Sequence, residues 1–108
     1  MALASDKTIV IDTVCLPVLP GVEEYASIGL IPGGAYRNRE LAGKYGVKSD
    51  AVLWREDLVF DPQTSGGLLA AVPEREAAEI MKRMGEAGLE AGMIGEVVDR
   101  REWTLEIW

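Results

Sequence analysis

Asp61-Pro62-Gln63-Thr64-Ser65-Gly66-Gly67-Leu68-Leu69 is the stretch on which the reading of this chain turns. Asp-Pro opens a turn, two small hydroxyl residues and two glycines follow, and the chain then runs into the apolar Leu68-Leu69-Ala70-Ala71-Val72. A backbone turning on Thr64, Ser65, Gly66 and Gly67 can aim several N–H groups into one concavity, which holds anionic oxygens without a side-chain cation. The same glycines also suit a tight turn leading into a buried strand. Residue types and spacing leave both readings open.

Downstream, Leu68–Val72 is a continuous apolar run, the pattern of an interior strand. Pro73 sits where a helix can begin, and Ala77, Ile80, Met81, Met84 and Ala87 form one stripe behind it. Glu76, Glu79, Lys82, Arg83 and Glu86 cover the opposite face, and Gly88 ends the helix. The two methionines are core filler at this spacing. This helix is expected to lie on the sheet, so that Ile80→Asp would cost several kcal/mol, roughly the penalty for an unpaired buried charge. Met93–Val98 reads as a strand, and Trp103–Trp108 as a last strand at an edge.

Upstream, Thr8–Val14 is almost wholly β-branched and reads as a strand. Leu16-Pro17-Val18-Leu19-Pro20-Gly21 leaves the sheet, because two prolines remove ladder donors. A short helix is expected over Val22–Ile28. Ile31-Pro32-Gly33-Gly34-Ala35-Tyr36-Arg37-Asn38 is a second glycine loop, after which Asn38 caps a short helix carrying Leu41 and Tyr45. Ser49-Asp50 offers another cap, with Ala51, Trp54 and Leu58 at helical spacing behind it. The order of elements predicts an α+β fold: a single layered domain over residues 1–108, with a mixed sheet and helices packed against it.

A chain of 108 residues is long enough for one unstapled core. Its net charge of −7 excludes a sequence-independent grip on nucleic acid or on an anionic membrane surface. An anionic substrate would need backbone dipoles, a metal or another domain. The absence of histidine removes Ser-His and Cys-His catalysis and His-ligated metals from this chain. The lone cysteine, Cys15, excludes an intrachain disulfide, fits a reducing cytoplasm and reads as an inert buried thiol. No apolar run approaches the roughly 18 residues that span a bilayer.

The two glycine motifs, with Leu19-Pro20-Gly21 before them and Ile94-Gly95-Glu96-Val97 after, resemble one family. That family is selenophosphate synthetase, also called selenide, water dikinase. The pieces stand in the family's order over roughly Leu16–Val98, and the Asp61–Leu69 run is the specific one. The resemblance is to the C-terminal part only. It implies an α+β domain like that of the aminoimidazole ribonucleotide synthetase superfamily, with partial likeness to a ferredoxin-like arrangement.

The resemblance further implies a whole protein that makes selenophosphate, AMP and phosphate from ATP, selenide and water. The reactive cysteine or selenocysteine, its nearby lysine, the Gly-rich ATP segment and the magnesium-holding aspartates belong to an N-terminal domain. None of these is in this chain, and Cys15 does not match the reactive position. The chain therefore reads as a truncated piece with no catalytic or metal-binding residue and no bound cofactor of its own. Magnesium and ATP are implied for the full-length protein, which is expected to be a cytoplasmic homodimer.

Phosphoryl transfer depends on positioning and charge neutralisation, so this piece would supply a wall of aimed donors. The candidates facing substrate or phosphate are Gly33, Gly34, Arg37, Asn38, Asp61, Thr64, Ser65, Gly66 and Gly67. Arg37 suits an anionic oxygen or a surface ion pair. Asp61 can touch a metal, but an Asx turn is expected for an Asp before Pro. Two other readings remain: a free-standing interaction module of the same fold, and the C-terminal domain of another ATP-dependent superfamily member. If the two glycine loops border one cleft they should lie on one face.

Overall fold

The computed structural model describes residues 1–108. The β-branched opening forms β1 (Lys7–Ile11), preceded by a single helical turn, α1 (Ala2–Ser5). The strand stops three residues before the expected Val14. The Asp12 carboxylate accepts from the Val14 N–H at 2.9 Å and turns the chain into a 3₁₀ turn, Thr13–Cys15. Then come α2 (Val22–Ser27), α3 (Gly33–Gly43), β2 (Val47–Ser49), α4 (Leu53–Val59), α5 (Glu74–Glu86), β3 (Gly95–Asp99) and β4 (Leu105–Ile107).

The four strands form a mixed sheet in the order β2-β4-β1-β3. β1 pairs antiparallel with β3, from Lys7 opposite Asp99 to Ile11 opposite Gly95. Gly95 is required there, because a Cβ would collide with the Val10 carbonyl. β4 runs parallel to both β1 and β2, which makes it interior rather than the expected edge strand. Register lines up Val47, Leu105 and Ile9 in one row and Ser49, Ile107 and Ile11 in the next. On that face Ala35 of α3, Phe60 after α4 and Ile107 form the core, with Ile31, Ala42, Val59 and Leu105 packed around it.

Buried threonines tie the chain into place around β4. Thr8 Oγ1 donates to the Trp103 carbonyl at 2.6 Å, Thr104 Oγ1 to that of Tyr45, and Thr13 Oγ1 to that of Trp108. On the opposite face of β4 the buried Glu106 meets Arg101 at 2.9 Å.

The α+β architecture agrees with the sequence, but three elements differ from expectation. Pro32-Gly33-Gly34 is not a free loop: α3 begins at Gly33, with Pro32 at its N-cap. Asn38 lies inside that helix and does not cap it. Burial of Ala35, only 1% exposed, holds the first turn helical despite two poor helix formers. Leu68–Val72 is not a strand at all. It has no ladder partner, and Leu68 is 100% exposed. Finally, α5 spans the expected residues with the expected stripe, but it is not laid on the sheet. None of its residues is buried, and it shares no substantial contact with any strand.

Candidate functional site

The two glycine motifs meet at the N-terminal half of α3. Gly34 backs onto Pro62 so closely that a Cβ there would stand 2.6 Å from the proline Cγ. One turn further along, Asn38 Nδ2 donates to the Phe60 carbonyl at 2.9 Å. Arg39 then reaches α4: its Nε lies 2.9 Å from a Glu56 oxygen, its Nη2 donates to the buried Asp57 carboxylate, and its guanidinium stands over the Phe60 ring. These contacts pin residues 60–62 to α3. The loop carrying Thr64, Ser65, Gly66 and Gly67 is therefore rooted beside the Gly33-Gly34 turn, although about thirty residues separate them in sequence.

Beyond Gln63 the loop is open. The Gln63 N–H closes onto the Asp61 carbonyl at 3.1 Å, and the Gln63 side chain lies across Gly66. From Thr64 onward no backbone N–H finds an acceptor in the chain until the first turn of α5. Nothing lies within 4 Å of a Cβ built on Gly67, so another group can approach its backbone. Such unspent amides, next to the N-terminus of an eleven-residue helix, are donors available to an anion.

The other candidates divide. Arg37 is exposed and in no ion pair, so its guanidinium is free. The Asn38 amide is spent on the Phe60 carbonyl and cannot also serve as a wall donor through that hydrogen. Asp61 forms no Asx turn; its backbone carbonyl, not its carboxylate, takes the Gln63 N–H. Arg39, Glu56 and Asp57, which hold the loop's root, were not singled out from sequence. The one signal was a charged pair interrupting an otherwise apolar helix face.

Two features lie apart from this face. The larger concavity, about 340 Å³, is bounded by the Leu16–Gly21 segment, Trp54 and Arg55. It includes Leu19-Pro20-Gly21 but neither glycine loop. Arg55 stacks on the Trp54 ring at 4.4 Å and donates to the Thr13 carbonyl, which marks it as a structural strut. Cys15 is exposed, not buried as expected. Its Sγ faces the Asp12 carboxylate at 3.4 Å; that hydrogen bond, then desolvation, raises the thiol pKa and keeps it protonated.

Residues 1–107 match the family described as AIR synthase related protein, C-terminal domain. The chain belongs to this family. Among curated relatives, the selenide, water dikinase of Caldanaerobacter subterraneus subsp. tengcongensis is 41% identical over 111 residues. That match covers 99% of this chain and 31% of the relative. A selenide, water dikinase of Clostridium botulinum (strain Eklund 17B) is 40% identical with the same coverage. That of Pelobacter propionicus is 48% identical over 86 residues, covering 78% of this chain and 25% of its own length. This AIR synthase-related chain thus spans about a third of the relatives it matches, at 31% of the first two. No helix in it is long and apolar enough to cross a membrane.

Proposed function

We propose that this chain is the C-terminal part of a selenide, water dikinase, whose whole form makes selenophosphate, AMP and phosphate from ATP, selenide and water. The observation that carries the reading is the loop Thr64–Gly67, rooted on α3 beside Gly33-Gly34 with its amides unspent. Named relatives along 99% of the chain support the same reaction class.

In this reading the chain supplies one wall of a cleft whose other wall is an N-terminal domain of the same protein. The amides of Thr64–Gly67 and the free Arg37 guanidinium orient phosphoryl oxygens as charge shifts between them. Gly67 is small so that substrate can reach the backbone. Asn38 positions the loop. The chain's own residues do not fit a magnesium site, since no three acidic or thiol side chains converge. The carboxylates for that ion, and the reactive sulfur or selenium, belong to the other wall. The working protein is proposed to be cytoplasmic and dimeric through that other domain.

Two measurements test this. Purified chain with ATP, magnesium and selenide should release no AMP above a buffer control, and sustained turnover would put the active site inside this piece. In the longer enzyme, Gly67→Val should lower kcat at least tenfold, because the branched side chain blocks approach to the loop amides. The same change should leave the melting temperature of the isolated chain where it was, because nothing packs on Gly67. Full activity in the Gly67→Val enzyme would remove the loop from the cleft.

A further inference from the structure

Nine consecutive backbone N–H groups, Thr64 to Val72, donate to nothing in the chain. Native proteins pair nearly all of their backbone groups or leave them to water on polar loops. Here the groups belong instead to an apolar run, with Leu68 fully exposed and Leu69 55% exposed. Five apolar residues with both backbone edges free are a strand lacking its neighbour. The next element repeats the pattern. The stripe of α5 is nowhere buried, and Ile80, Met84, Ala87, Leu89 and the stem of Arg83 line an open groove of about 270 Å³. Segment and helix are joined through Pro73 alone, so one continuous stretch of polypeptide is apolar and unpartnered.

We infer that Leu68–Val72 is a strand-augmentation site, filled in the working protein by an extended apolar strand from the portion of the polypeptide that the relatives carry beyond this match. The occupant follows from length and charge. This chain accounts for only 31% of the Caldanaerobacter relative, so most of such a protein is available to cover this surface. A second copy of the chain would bring another net charge of −7 against the first, and long-range repulsion opposes that pairing. A polar peptide would leave Leu68 and Leu69 facing unmatched groups. The inference rests on reading the chain as one part of a larger dikinase-type protein, and it adds that the Asp61–Gly67 loop receives its final shape only when the strand behind it is paired.

Amide hydrogen exchange tests the pairing without any activity measurement. In the isolated chain Thr64–Val72 should exchange at nearly the rate of an unstructured peptide, at every protein concentration. In the intact Caldanaerobacter relative, the segment matched to these residues should exchange at least about 100-fold more slowly. Fast exchange in both would overturn the inference. Protection in the isolated chain that grows with concentration would assign the site to a second copy and overturn it equally. Ala70→Pro provides an independent check, since it deletes one of the nine amides. The isolated chain should melt unchanged; a lowered midpoint would reveal pairing inside this chain and sink the proposal. An intact relative protected here, alongside a longer form of this chain lacking dikinase activity, would keep the inference and discard the proposed reaction.

Discussion

The half of the molecule formed by α3, α4 and the β2-β4-β1 sheet differs from residues 61–94 in nearly every physical respect. In the first, Ala35, Phe60 and Ile107 are buried together, and Arg39 joins two helices through two carboxylates. In the second, the amides are unspent and the apolar side chains face solvent, although it contains the sequence motif most specific to the family. The contrast separates what holds this chain folded from what it presents to something else. A loop can be the most recognisable part of a sequence and contribute little to the stability of the piece containing it.

Substitutions can break that contrast. The largest effect is expected at Ile107, which is 1% exposed on the interior strand. Ile107→Asp should destabilise by about 4 kcal/mol or more, because its charge has no partner in the core. Chemical denaturation would measure this, and a loss below about 1 kcal/mol would mean β4 is not central. Arg39→Ala comes next, at about 3 kcal/mol, since it strands the nearly buried Asp57 carboxylate and the Glu56 beside it. Arg39→Lys should recover only part of this, because one ammonium cannot reproduce the fork.

Gly34→Ala sharpens the boundary between the two halves. The new methyl group must push Pro62 aside, while alanine improves the helix, so a net cost of about 1 kcal/mol is expected. Resonances of residues 60–67 should shift far more than those of the sheet. The smallest effect is expected at Ile80→Asp, within about 0.5 kcal/mol in the isolated chain, because Ile80 is half-exposed and touches no strand. Calorimetry showing a loss of several kcal/mol would restore the helix to the sheet and remove the contrast.

The sequence revealed whatever depends on neighbours along the chain. The stripe Ala77-Ile80-Met81-Met84 placed α5 correctly to within a residue or two, and β-branching located β1. Properties that depend on distant partners were hidden. Trp103–Trp108 gives no sign that β2 and β1 flank it, so β4 looked like an edge. Leu68–Val72 carries the apolar run of an interior strand, but a run records what a segment prefers, not whether its neighbour is present. Asn38 is a common cap residue, and only the position of Phe60 discloses that its amide is used across the fold. The meeting of the two glycine loops was expected from the family pattern, and the contact between Gly34 and Pro62 supplies its physical form.

The position of β4 also bears on how the chain acquires its fold during synthesis. Every residue that β4 joins, on β1 and on β2, leaves the ribosome before Leu105 does. Until then the β1–β3 pair and the α3–α4 pair are separate units with no strand between them. The sheet cannot assemble gradually behind the ribosome. It closes in one late, long-range step, the slow kind of contact that sets folding rates. A nascent chain stalled before residue 105 should therefore be open to proteases and chaperones, and one stalled well beyond it should resist both.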